Sequence, residues 1–418
     1  MMFRRRSRSL NERELRLWKV GRALVLTFVS AVLVAGGVFY GLVVLLDFQE
    51  IDTTAKLDAK TLFDLVKLSF GVVAGAGALV ALVVAYRRQR VDEAGAHREA
   101  TRLHTERFSQ AVEQLGSDSP AVQLGGVHAL AGLADDAPDN NLRQTCIDVL
   151  CAYLQLPFTP DPGNDPARQE ERHRYLALRK VRHTILHLIG DHYRRPEGTH
   201  RSWQGCDLDL TGVTIDGPID FGGAVFSGGR VSFLGATFSD SGVSFSGATF
   251  SGSGVLFVDA TFSDGVVSFV DAMFSGGVVS FGGATFSGGG VLFSGATFSG
   301  GTVSFDAAVS PGSTTVFSGG TASFDGAMFS GGVVSFSGAM FSGGGVLFSG
   351  ATFSGGTVSF DGATFSGGTV IFGSAVFSGG TVSFNAATGS PPHELLDAVG
   401  TPVPVTVELP AAWLSPNP

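Results

Sequence analysis

Hydrophobic positions change rhythm three times along this chain. Two long apolar runs come first. Ala23 to Leu46 carries no charge, and neither does Leu68 to Tyr86, which is extended upstream by Leu62, Phe63, Leu65 and Val66. About 20 apolar residues span a bilayer as a helix, so the pattern predicts a transmembrane helical hairpin over 23-86, with spans 23-46 and 62-86. A cleaved signal peptide has a shorter apolar core and is not followed so closely by a second run. Gly37-x-x-x-Gly41 and Gly71-x-x-x-Gly75 are small-residue notches that let membrane helices approach, which makes these four glycines the candidate helix-packing residues.

The second rhythm, over 87-195, is helical and predicts a neck domain. Arg98 to Leu115 carries Leu103, Phe108, Ala111, Val112 and Leu115 near the helical period. Ser119-Pro120, an N-cap followed by proline, opens a second helix from Ala121 to Ala134. Asp139-Asn140-Asn141 precedes a third to Leu154, with Cys146, Val149, Leu150 and Tyr153 inward. Pro157 to Pro166 reads as a linker, and Gln169 to Tyr193 as a fourth helix. The pair around Ala121 to Leu154 resembles HEAT or armadillo-type helical pairs. The neck reads equally as a small binding domain or as a spacer.

The third rhythm fills 205-389. Phenylalanines alternate at spacings of five and seven through Phe233, Phe238, Phe245, Phe250, Phe257, Phe262, Phe269, Phe274, Phe281, Phe286, Phe293 and Phe298 to Phe305. The alternation resumes at Phe317 and runs to Phe384. Ala or Val stands two residues before nearly every Phe, which puts both on one face of a short extended segment. A fixed short period means stacked coils of one unit, with these phenylalanines as the core ladder and Ser-Gly-Gly at the corners. A disordered Gly/Ser linker would not hold 27 Phe in register.

Ala-x-Phe every five residues resembles the pentapeptide-repeat family, beginning with Cys206-Asp-Leu208-Asp-Leu210 and Val213-Thr-Ile215. The resemblance implies a right-handed quadrilateral β-helix, and the layout is similar to bacterial membrane-anchored members with Phe-type repeats. The fold class expected is thus multi-domain: a two-helix transmembrane hairpin, an α-helical neck, then the pentapeptide-repeat solenoid. Alternate seven-residue units depart from the family pattern. They leave a flat two-sheet solenoid, with one 12-residue repeat per turn, as the rival geometry. Between Phe305 and Phe324 the lattice breaks. Taking Ser310 as a central residue gives two consecutive long units, which would move the Ser-Gly-Gly columns by one corner and leave a void at Ser310, or draw in Val309. Residues 390-418 are proline-rich, a tail or a cap in which Leu395, Leu396, Val399 and Trp413 cover the last coil.

Charge sharpens the division. Residues 1–200 hold 26 of the 28 Lys and Arg and 23 acids; residues 201–418 hold Arg201, Arg230 and 14 acids. The basic N-terminus 1-22 and Arg87, Arg88 and Arg90 flank the apolar runs, so positive-inside bias places both termini in the cytoplasm, a multi-pass cell-membrane protein. Three cysteines exclude a disulfide scaffold. His183 and His187 are four apart, with His192 nearby, but they lack the Glu of H-E-x-x-H, and no Walker loop or calcium repeat is present. Asp240, Asp259, Asp264, Asp271, Asp306, Asp325 and Asp361 read as solvated corners. The chain is expected to be no enzyme, with no catalytic residues, metal or cofactor. It reads as a membrane-tethered scaffold or interaction rod. Its expected partners are membrane lipid, an unidentified cytoplasmic protein and a second copy as a homo-oligomer, with no nucleic acid. The alternative, implied by the resemblance, is a DNA-mimic inhibitor of a type II topoisomerase. About one acid per 17 residues between Gly205 and Ala387 is far sparser than the charge on DNA.

Overall fold

A computed structural model describes residues 25–26, 28–30, 32–33, 36–37, 40, 59–159, 161–239, 241–306 and 314–414. Two compact units divide between Ala100 and Thr101. In the first, the described residues between 25 and 40 are helical, and helix α1, Ala59–Leu115, begins. The second apolar run is therefore the start of a 57-residue helix that continues past Tyr86 into Arg87, Arg88 and Arg90 without a break. Among the described residues no helix is long and apolar enough to cross a membrane. This overturns the multi-pass localisation with cytoplasmic termini. The basic segment 1-22 and most of the predicted span 23-46, with Gly41, lie outside the described residues. An added Cβ at Gly37, Gly71 or Gly75 would meet nothing within 4 Å, so among the described residues nothing packs into these notches.

The second unit opens with the C-terminal turns of α1, then α2 (Pro120–Asp135), α3 (Asn140–Gln155) and α4 (Gln169–Arg194). Ser119 caps α2 by backbone geometry, with Pro120 in the first turn where no N–H is needed. Asp139 caps α3 through its side chain, which accepts the Leu142 N–H at 2.9 Å. Gly126 lets α2 close on α1, since a Cβ there would lie 2.5 Å from the Leu115 nitrogen. The inward faces of these helices (Val127, Leu130, Ile147, Leu150, Val181, Ile185) are continuous with the apolar interior of the C-terminal repeats.

From Leu208 the chain forms a parallel β-solenoid of about 8 turns. Phe250 pairs with Phe274, one coil further on. Each coil has four short faces, and each face contributes one inward Phe. The first face carries Phe233 and Phe257, the second Phe238 and Phe262, the third Phe245 and Phe269, the fourth Phe250 and Phe274. Rings in one column stack at 4.9 Å in each of these four cases, the spacing of neighbouring strands. First- and third-face rings also meet edge-on across the axis, as Phe257 and Phe269 do at 5.9 Å. Four columns per coil decide against two flat sheets. The strands join into an eleven-stranded sheet covering the fourth and first faces, an eight-stranded sheet on the second and a seven-stranded sheet on the third. All twelve ladder phenylalanines from Phe233 to Phe298 are buried, as are the alanines two positions before the second- and fourth-face rings.

The break in the lattice differs from the expectation. Phe317 stacks directly on Phe286, and Phe324 on Phe293. The coil between them is therefore longer than its neighbours, and Phe305 and Phe317, stacked on Phe281 and Phe286, occupy consecutive faces. One corner, between Phe305 and Phe317, carries a seven-residue insertion, and all four columns resume in place. The Ser-Gly-Gly corners stay in unbroken columns as well: Gly332 lies over Gly301 and Gly300, Gly356 over Gly332 and Gly331. Ser310 and Val309 lie outside the described residues, as does Asp240. Thr315 takes the buried place of the usual alanine. Its hydroxyl donates to the Asp306 carbonyl at 2.7 Å and accepts the Gly283 N–H at 3.0 Å, closing the corner.

Candidate interaction surface

A solenoid has two ends where backbone groups lack a neighbouring coil. At the N-terminal end, side chains from α3 and α4 supply the missing partners. Gln144 donates to the Asp207 carbonyl at 2.8 Å and Gln155 to that of Asp209 at 2.9 Å. Arg182 reaches the Leu154 and Thr214 carbonyls at 2.7 and 3.2 Å, and its guanidinium lies 4.6 Å from the centre of the Phe158 ring. Arg194 donates to the Asp220 and Gly222 carbonyls at 2.6 and 2.7 Å. The neck is thus the cap of the first coil, and the Pro157–Pro166 segment contributes Phe158 to it.

Asp216 is the polar centre of this joint. Tyr175 donates to its carboxylate, Arg179 donates to its backbone carbonyl at 2.9 Å, and His183 lies 3.4 Å from Oδ1. Burial pushes the Asp216 carboxyl up, but hydrogen bonds from His183 and Tyr175 and the Arg179 charge outweigh it, so the net shift is downward. Tyr175 is raised, by burial first and then by its bond to Asp216. His192 pairs with Asp135 at 3.1 Å and stacks on Trp203 at 4.1 Å. Two of the histidines singled out in the sequence therefore serve packing and hydrogen bonding. Among the described residues no group of three or more His, Cys, Asp or Glu is placed to hold a metal. Burial pushes the Cys146 and Cys151 thiols up to about 12, which disfavours the nucleophilic thiolate form.

The C-terminal end is closed by backbone. Val407–Glu408 pairs with Val382 and Ser383, α5 (Leu395–Val399) buries Leu395, and α6 (Ala411–Leu414) buries Trp413, whose indole N–H bonds the Gly389 carbonyl at 2.9 Å. The capping segment cuts one corner. Gly389 lies over Phe365 and His393 over Ile371, so the cap crosses in four steps where the coil beneath takes six. The missing bulge leaves a cavity of about 370 Å³ lined by Ser366, Gly367, Gly368, Pro391 and His393.

Along the sides, the aspartates do more than stay solvated. Asp306, Asp325 and Asp361 each accept a backbone N–H from the coil above, of Ser337, Ser349 and Asn385, at 2.9, 3.0 and 3.0 Å. Asp259, Asp264 and Asp271 adopt φ of 55°, 52° and 55°, the left-handed conformation glycine fills in other coils. The remaining outward positions are mainly Ser, Thr and Gly, interrupted by exposed Leu234, Val266, Met273, Val278, Met328, Val333, Met340 and Val376. These residues escaped the sequence reading, although the identical segments Met273–Ser280 and Met328–Ser335 carry the signal: Met between two inward residues must point out. No family model, curated protein or solved structure matches the chain.

Proposed function

We propose that the chain is a non-catalytic interaction scaffold of pentapeptide-repeat type, a rod whose lateral faces engage protein partners. The observation that carries the reading is the ladder itself. Phe rings fill the interior from Phe221 to Phe384, which leaves the outer faces as the working surface. Those faces are nearly free of cations and present regular hydroxyls and a few exposed apolar side chains, a composition suited to broad contact. The test is affinity capture with the tagged full chain in its native cells. A partner retained by the intact rod and lost when one complete coil, 257–280, is removed supports the reading. A chain that captures nothing, or the same proteins as a tag-only control, ends it. The topoisomerase-inhibitor reading is tested separately by DNA supercoiling with the purified chain. Sparse acids on the rod predict no inhibition.

A further inference from the structure

The eleven-stranded sheet carries an apolar row with a period of its own. On the fourth face the outward residue of successive coils is Thr249, Met273, Thr297, Met328, Thr352 and Val376. Met273, Met328 and Val376 are 47%, 47% and 49% exposed, while the threonines between them are half-buried. The large residues therefore stand two coils apart, each coil rising 4.8 Å at the stacked Phe274, Phe298 and Phe329 rings. Beyond the Ser-Gly-Gly bend of the same strands, Val278 and Val333 repeat the pattern, 46% and 41% exposed. No charge interrupts either row from Thr249 to Ser383. The charges stand at the margins: Asp271 and Asp325 at the corner entering the fourth face, Asp259, Asp306 and Asp361 at the corner leaving the first.

We propose that this row is a docking strip for a basic amphipathic helix of a partner protein, laid along the rod axis. The inference rests on the scaffold reading above and names its partner's chemistry. Two features select the occupant. The knobs repeat every two coils, and seven residues of an α-helix rise ~10.5 Å, so apolar residues at positions i and i+7 settle in the two gaps between Met273, Met328 and Val376. Both margins are acidic, so a partner with Lys and Arg beside its apolar stripe gains attraction at each edge. A second copy of this rod would bring Asp against Asp at both edges and is disfavoured for the same reason.

The probe is a fluorescein-labelled synthetic helix of about 18 residues, with Leu on one face and Lys on the rest, titrated by anisotropy into the full chain. A matching peptide with Glu for Lys is the control. The Lys peptide is expected to bind at least about tenfold more tightly than the Glu peptide, and Met273→Ser with Met328→Ser to weaken it about tenfold. Met340→Ser, on the second face, should leave binding unchanged. Asp271→Asn with Asp325→Asn keeps size, turn preference and the acceptor for Ser349 while removing charge; it is expected to weaken binding and flatten its salt dependence, and it guards against a misfolded methionine variant. Equal affinity for both peptides, or wild-type affinity in both double variants, overturns the proposal. So does a wild-type dimer in sedimentation that Met273→Ser with Met328→Ser turns into monomer, which would make a second copy the occupant. If cellular partners are still captured by the Met273→Ser, Met328→Ser chain, the scaffold reading stands and this strip falls.

Discussion

Phe293 and Arg182 are both sealed from solvent, yet they are held by unlike means. Phe293 stacks at 4.8 Å on Phe269 below and on Phe324 above, and meets Phe281 and Phe305 edge-on. Every coil repeats that environment, so the ladder is stabilised by many near-identical apolar contacts. Arg182 makes a contact that no coil of the ladder repeats. It ties the Leu154 and Thr214 carbonyls to one guanidinium above the Phe158 ring, and burial lowers its pKa from the ordinary arginine value. A repeat can lose one contact and keep its register from its neighbours; a cap depends on individual donors. Ladder and cap should therefore respond differently to substitution, to pH and to changes of length.

The largest effect is expected in the ladder. Phe293→Ala removes a ring bounded by six others and should cost about 3–5 kcal/mol in denaturant unfolding. A loss below about 1 kcal/mol would mean that neighbouring coils collapse into the gap and the ladder is softer than its stacking implies. In the cap, Arg182→Met keeps length and apolar stem but strips the donors from the Leu154 and Thr214 carbonyls. The expected loss is about 1–3 kcal/mol, with hydrogen exchange rising at residues 208–216 while the strands from 285 onward stay protected. Uniform exchange along the whole rod would erase the distinction between cap and ladder.

Acid should separate the two regions without mutation. The Asp216 carboxyl sits below its ordinary value in the folded protein. A depressed carboxyl stabilises the fold above its unfolded pKa of about 4, and that contribution fades as pH falls through the lower folded value. Amides near Asp216 are thus expected to exchange faster below about pH 4. The ladder, whose core holds no titrating group among the described residues, should keep its strand signal. Asp216→Asn should flatten this dependence. The smallest effect belongs to the inserted corner. Removing residues 307–313 restores the five-residue spacing from Phe305 to Phe317 and should change stability by about 1 kcal/mol or less. Aggregation or loss of strand signal in that variant would show that the insertion is part of the fold.

The ladder was readable because each coil repeats the same demand: an inward Phe, a small residue two places before it, and a corner that only a left-handed residue can make. At Gly332 (φ 69°) a Cβ would approach the Gly301 carbonyl oxygen to 2.5 Å. Such constraints recur in every coil and leave a period in the sequence. The cap leaves none. Gln144, Gln155, Arg179 and Arg194 look like ordinary solvated positions on their helices, and their acceptors are backbone carbonyls, which no residue type encodes. The inserted corner misled for a related reason. Counting from Phe305 puts Ser310 on the lattice, because spacing alone cannot tell a five-residue face followed by a seven-residue one from one longer corner. Which faces stack decided between them.

Coils of nearly equal rise between two dissimilar ends also give the solenoid the character of a measuring rod. Its length advances in steps of 4.8 Å at the stacked Phe336 and Phe360 rings, and neither cap can be mistaken for another coil. In-frame duplication or loss of one coil in the gene would lengthen or shorten the rod by one graduation and leave both terminal seals intact. Distance between whatever is fastened near its two ends is therefore written in the number of repeats, and selection could adjust it digit by digit without redesigning a single contact.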